Sequence, residues 1–395
     1  MRNRIDGGFF LISLLSLSSL LWINSYLSVS IYEAKVYMQE GPISWLAHLF
    51  VPVLGANNLG IKLPFILLHL CNLALFYKIS RHILKRPVDS LFSVAIFALL
   101  PGVNASALFI SNSALVMSIT LLVCYWHLKF RTIPYWVLVG AIFIDSNAMA
   151  ILFLALFFYA MKRRDNTLLL FALFAFATNM YLTGIDVGGR PRGHFLDTLG
   201  IFALLFSPFV FLYFAYSLYQ ILIKGEKSLL WYISFVALFF TLLLSMRQRI
   251  EIQDHAPLVL IGLPLMVKVY FEGLRVRLPR FRIGYRAWFV IAIGSLFIHW
   301  LILMVHPIFY RFLKDPSEHF AYQFHVANEL AEALKARGIT KIKLKDETIR
   351  ERLAVYGIGE GEEVELGKVD DTHAKGVIPI SYFGHEIERY YIHEK

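Results

Sequence analysis

The sequence predicts an all-α polytopic membrane protein with about 11 transmembrane helices, followed by a small C-terminal α/β domain. Three observations carry this. Of 395 residues, 58% are hydrophobic and 17% charged, against about 45–50% and about 25% in soluble domains. Aromatic residues reach 15%, which suits interfacial belts on a multi-span protein. The charge is divided, with +13 on residues 1–305 and −3 on residues 306–395. The composition excludes an ordinary soluble enzyme, a disordered chain and a disulfide-stapled scaffold. The two cysteines, Cys71 and Cys124, lie in apolar runs and form no framework. The basic residues sit in short loops between apolar runs, so nucleic acid is not the expected partner.

The apolar runs lie near 9–29, 60–80, 88–101, 106–126, 133–145, 148–161, 167–184, 198–223, 228–245, 256–271 and 287–306. The runs at 133–145 and 148–161 are short, and read as a re-entrant pair or two tilted helices. The first run is too long for a cleaved signal and ends in no small-residue cleavage site. Counting Lys and Arg by alternate loops gives 19 on one side and 6 on the other. That bias places the N-terminus in the cytoplasm and the tail outside, in the periplasm if the membrane is a bacterial inner membrane. The expected division is a transmembrane domain over 1–306 and a soluble outer domain over 307–395. In that tail, 316–337 has helical periodicity and ends at Gly338. Ile339–Leu344 alternates like a strand, Asp346–Tyr356 suits a second helix, and strands are expected near 363–366, 376–380 and 387–392.

Ionisable residues are scarce on the outer side, and they gather in three segments. The first outer loop, about 30–59, holds Glu33 and Glu40 ahead of an amphipathic stretch at 43–54, with Trp45, Leu46, Leu49 and Phe50 turned toward the membrane. Glu33 either works on a group held at the membrane surface or marks the boundary by pairing with Lys35 or Lys62. The loop at 185–198 concentrates Asp186, Arg190, Arg192, His194 and Asp197 among glycines. Its arginines suit a bidentate grip on phosphate, unless it is simply a solvated loop. The third segment, Met246–His255, carries Arg247, Arg249, Asp254 and His255, as a phosphate and substrate contact or as a salt-bridged boundary. A divalent metal is expected only if folding gathers His194, Asp197, Asp254 and His255. Asp145 interrupts two short runs and reads equally as a functional acid or a turn, whereas His69 and His127 read as packing residues. Together these segments predict an outer cavity for an anionic amphiphile.

The stretch Tyr32–Ile83 resembles lipid-dependent membrane glycosyltransferases of the GT-C fold, of the protein O-mannosyltransferase and aminoarabinose-transferase type. The family pattern is an acidic pair, aromatics, His-Pro-Pro-hydrophobic-Trp, Gly, then Arg-hydrophobic-Pro. Here stand Glu33, Tyr37, Gly41-Pro42-Ile43-Ser44-Trp45, Gly55 and Lys62-Leu63-Pro64. The likeness spans most of residues 1–305 and is specific over 30–66. It departs at Tyr32, which replaces the first acid of the pair, and at Asn112, where the family often has a second acid. Glu40 falls near the histidine, Lys62 replaces the arginine, and Arg249…Pro257 is a loose counterpart of a late Arg-Tyr…Pro segment.

The resemblance implies transfer of a sugar from a polyprenyl-phosphate donor to a lipid, glycan or protein acceptor at the outer face. Glu33 would be the base. Lys62, Arg190, Arg192, Arg247 and Arg249 would meet phosphate, and Glu40, His194, Asp197, Asp254 and His255 would position substrate. Two other readings stand beside it. A non-catalytic relative acting as a binding or assembly subunit is favoured by the loss of the acid at Tyr32. A lipid-linked-sugar transporter is disfavoured by the lack of an internal repeat.

Overall fold

A computed structural model describes residues 2–144, 146–184, 193–368 and 376–394. The chain is mostly helical, with one four-stranded sheet near its C-terminal end. Among the described residues, six helices are long and apolar enough to cross a membrane, or up to eight if each of two bent pairs is one span. This supports a multi-pass membrane protein but not a count of eleven.

The differences have local causes. The helix Tyr135–Ile142 has only 8 residues, far short of the roughly 20 a bilayer requires. The run at 198–223 breaks into Phe195–Phe206 and Pro208–Lys224, bent by 104°. Pro208 has no N–H and bars the preceding residue from helical geometry, and Ser207 turns to φ 73°. The run at 88–101 continues past Leu100 as Pro87–Leu99 and Pro101–Leu108, bent by 59°, so the gap between the runs at 88–101 and 106–126 is helical.

The contacts divide the chain into two compact units, neither continuous in sequence. The first comprises Met1–Leu17, Leu67–Ala107 and Asn112–Trp300. Its centre is the helix Asn147–Arg163, packed against Asn166–Thr183, Leu229–Ser245 and Ile252–Leu260. Ala148, Leu152, Ala155 and Leu156 on that helix are fully enclosed. Asn179 closes the turn before it by donating to the Ile142 carbonyl at 2.9 Å. The helix Pro279–Met304 instead exposes Val290, Phe297 and Ile298, as a lipid-facing helix does.

The second unit comprises Ser18–Ile66, Leu108–Ser111 and Leu301–Lys395. Its sheet has β1 (Lys341–Leu344), β2 (Gly359–Gly367), β3 (Gly376–Tyr382) and β4 (His385–Glu394) in the order β1-β2-β4-β3. β1 and β2 are parallel and are linked through the helix Glu347–Val355, whose first amides are capped by Asp346. β3 and β4 form a hairpin across Phe383 and Gly384, both with positive φ, the geometry a two-residue turn between twisted strands requires. Pro379 is tolerated because β3 is an edge strand. The helix expected over 316–337 begins only at Ala327. Val326 before it has φ 80°, and residues 306–324 form short 3-10 turns instead. In the first loop, the helix Pro42–His48 buries Ile43 and Ala47, whereas the short helix Val51–Leu54 buries none of its residues. Trp45 and Leu49 are left exposed.

Candidate active site

Residues 25–30 run between the helices Arg2–Asn24 and Ile31–Met38. An extended buried segment has no helical partners for its backbone groups, so each must find another. The second unit supplies them one by one. The Leu27 carbonyl accepts from Lys62 Nζ at 2.6 Å. The Ser28 N–H donates to the Phe324 carbonyl at 2.7 Å. The Val29 N–H donates to the Tyr356 hydroxyl at 2.8 Å, which itself donates to Asn58 Oδ1 at 2.6 Å. The Val29 carbonyl accepts from Arg352 Nε at 2.7 Å. The second arm of Arg352 holds the His325 carbonyl at 2.5 Å.

Glu33 closes this arrangement. Ser30 caps the helix Ile31–Met38, and Glu33 three residues on answers it in a capping box. Its Oε2 accepts from the Ser30 N–H at 2.9 Å and the Ser30 hydroxyl at 2.8 Å. Its Oε1 accepts from the Ile110 N–H at 3.0 Å, across 77 residues of chain. Glu33 is 2% exposed, Lys62 0% and Arg352 4%. Glu33, Glu329 and Arg352 all lie close enough to act electrostatically on Lys62. The two buried cations thus bond to carbonyl oxygens while two carboxylates balance their charge, which lowers the cost of burying them.

Burial shapes the titration of the tail residues in this cluster. It lowers the pKa of the Arg352 guanidinium. It raises that of Glu329, against the hydrogen bonds from Tyr382 and Ser28. Beside them lie His306, His319 and His325, all buried. Hydrogen bonding assigns their tautomers. His306 Nδ1 faces the Leu303 carbonyl at 2.8 Å and must donate to it, so its Nε2 accepts. His325 Nε2, 3.2 Å away, then donates to His306, and His325 Nδ1 accepts from the Tyr310 hydroxyl at 2.6 Å. His319 Nε2 donates to the His306 carbonyl at 2.9 Å. Every ring is neutral in this chain. Burial, with the neighbouring histidines, pushes His306 down to about 4 and His325 down to about 2.

Of the residues expected at the site, Glu33 and Lys62 meet in this one cluster. Glu40 is exposed. Arg190 and Arg192 lie outside the described residues, as do Asp145 and Asp186. In the first unit, His194 and Asp197 form a loose pair, Nδ1 to Oδ2 at 3.4 Å. Arg247 and Arg249 are exposed and Asp254 is half-buried. His255 is buried, its Nδ1 2.9 Å from the Thr241 hydroxyl, which donates onward to the Ala237 carbonyl. Among the described residues no group of three or more His, Cys, Asp or Glu side chains is placed to hold a metal ion. Sequence reasoning missed Ser28, Asn58, Arg352, Tyr356 and the histidines. The Ser30-x-x-Glu33 spacing was a readable signal for the cap. Nothing local marks Arg352 or Tyr356, which sit more than 300 residues from Val29.

Fold and site together define a polytopic helical membrane protein with a polar core built from its first loop and its C-terminal tail. Comparison with known proteins adds a family likeness. The sequence model of the dolichyl-phosphate-mannose-protein mannosyltransferase family matches residues 42–144. That stretch holds Trp45, Gly55 and Lys62-Leu63-Pro64 and begins after Glu33. It points to a membrane glycosyltransferase of the GT-C type that uses a lipid-linked sugar. No curated protein matches the chain.

Proposed function

We propose that the protein transfers a sugar from a polyprenyl-phosphate donor to an acceptor hydroxyl at the outer face of the membrane. The observation that carries this reading is the family match over residues 42–144. It is supported by the buried carboxylate Glu33 on the first loop, the position from which such a family would draw its base. In this mechanism Glu33 takes the acceptor proton through Oε1, which holds one hydrogen bond where Oε2 holds two. The acceptor oxygen attacks the anomeric carbon, the bond from that carbon to phosphate breaks, and polyprenyl phosphate leaves. Arginine suits the leaving phosphate. Arg247 and Arg249, both exposed, are proposed as phosphate contacts, with Arg190 and Arg192 as further candidates, whereas Lys62 is committed to the Leu27 carbonyl. His194, Asp197, Asp254 and His255 are proposed to orient substrate. Residues 307–395 are proposed as a domain on the outer side of the membrane.

The test is a cell-free assay of the full chain with a radiolabelled polyprenyl-phosphate sugar. Label should pass to a lipid, glycan or protein fraction, and Glu33→Gln should lower the rate by about 100-fold or more, the scale of general base catalysis. No transfer by the wild type would refute the enzyme reading. Transfer unaffected by Glu33→Gln would remove the base. One observation favours a second reading, a non-catalytic binding or assembly subunit: both oxygens of Glu33 are already engaged in holding the backbone. Transfer by the purified single chain excludes it.

A further inference from the structure

Among the described residues, the elbow between the helices Leu263–Val276 and Pro279–Met304 is rich in unmatched positive charge. Its nearby acids are spoken for. Asp89, 4% exposed, takes Arg275, and Glu272 takes Lys85 at 3.8 Å. Arg277, Arg280, Arg282 and Arg286 form no ion pair with a described acid. They are nevertheless arranged. The Arg277 guanidinium lies 4.0 Å from the centroid of the Tyr285 ring, and its carbonyl accepts from Arg282 Nε at 2.8 Å, which fixes the Arg282 stem and leaves its outer nitrogens available. Arg282 and Arg286 are four residues apart on one helix and so share a face, about 5–6 Å between Cβ atoms. Phe281 and Trp288, seven apart, share a second face about 130° round the helix, and both are exposed, at 61% and 70%.

We propose that this elbow is a binding site for the headgroup of an anionic phospholipid. A phosphodiester is matched by two guanidinium groups one turn apart, each able to give paired N–H bonds. Phe281 and Trp288 supply the apolar surface that keeps the same helix turn at the membrane interface. A soluble acidic partner would not account for exposed Phe and Trp beside the arginines. The inference does not depend on the glycosyltransferase reading, since it concerns the first unit's own charge and exposure.

The experiment is native mass spectrometry of the full-length protein in detergent with added phosphatidylglycerol or phosphatidylcholine. The wild type should retain phosphatidylglycerol in preference. Arg282→Gln/Arg286→Gln, at exposed and half-buried positions where the fold should persist, should bind it about 30-fold more weakly, taking about 1 kcal/mol for each basic residue at a lipid surface. Phosphatidylcholine retention should not change. Lys341→Gln/Lys343→Gln removes the same charge from exposed positions in β1 and should leave phosphatidylglycerol retention as in wild type. Equal retention of both lipids by the wild type overturns the proposal. So does wild-type retention in the double arginine variant, an equal loss in the lysine variant, or displacement of the lipid by inorganic phosphate at matched concentration.

Discussion

The carboxylate of Glu33 holds three donors at a buried position, so removing its charge should loosen the first loop. Glu33→Gln is the sparest perturbation, nearly equal in size and shape. Gln has one acceptor oxygen and one donor NH2. If the oxygen keeps Ser30, the NH2 faces the Ile110 N–H, and two donors meet where a bond at 3.0 Å had been. A hydrogen bond to a charged group contributes about 1.5–3 kcal/mol, and an unsatisfied buried donor costs about 1–3 kcal/mol. Lys62 and Arg352 also lose a balancing anion while staying buried. A loss near 3 kcal/mol in the local opening free energy follows. It corresponds to about a 100-fold fall in exchange protection at about 1.4 kcal/mol for each factor of ten. The assay is amide hydrogen exchange of the full chain, read at Ile110 and Ser30, the two amides that donate to Glu33. Unchanged protection at both amides would refute the reasoning. The same measurement separates structure from chemistry. If transfer fails in Glu33→Gln while Ile110 stays protected, the carboxylate acts on substrate, and if both fail together, it acts first on the fold.

Two further predictions concern the same unit. His306 and His325 are neutral in the fold, and both have a pKa pushed below that of the unfolded chain, near 6.5. Above pH about 6.5 neither state takes a proton and stability is intact, whereas below it the unfolded chain gains protons the fold refuses. Stability should therefore fall between about pH 6.5 and 4, by about 3 kcal/mol for His306 alone. Melting temperature against pH should show this slope and His306→Gln should flatten it, so equal slopes in both proteins would contradict the assignment. In the first turn of the helix Asn58–Ile83, a Cβ on Gly60 would lie 2.3 Å from the Gly55 carbonyl oxygen, whereas one on Gly200 would meet nothing within 4 Å. Gly60→Ala should cost about 2 kcal/mol or more while Gly200→Ala, inside a helix, should be neutral or stabilising by up to about 1 kcal/mol. Equal melting temperatures would discount the close approach.

The elements legible in the sequence were those whose signal is local. β1 falls within the alternating stretch Ile339–Leu344 and the helix Glu347–Val355 within the expected Asp346–Tyr356, because strand pleat and helix cap are written within a few residues. Apolar length marked the membrane helices but not their breaks. At Ser207–Pro208 the hydropathy is continuous and only the backbone of proline ends the helix. The helix expected to start at Pro316 failed because the intervening side chains have stronger partners elsewhere. His319 holds the His306 carbonyl and the Ala321 N–H, and Tyr310 holds His325. At the candidate site, Glu33 and Lys62 stood out as charges near an apolar span. Their partners did not, since Ile110 and Arg352 contribute through contacts that no window of sequence contains.

The two buried cations show why charge in such a site need not mark a ligand. A cation awaiting phosphate keeps its donors free and its approach open. Lys62 and Arg352 do neither. Lys62 spends its bond on the Leu27 carbonyl, and Arg352 bridges the carbonyls of Val29 and His325. Together with Tyr356 and Glu33 they satisfy the backbone of residues 27–30, which leads directly into the helix that carries Glu33. Their effect is to fix where that carboxylate stands, the supporting role a reactive group requires from its surroundings. In the proposed mechanism, phosphate recognition then falls to arginines that remain exposed, and the residue standing where the family has its first acid, Tyr32, lies at the surface, 43% exposed, rather than at the buried position that this framework holds in place.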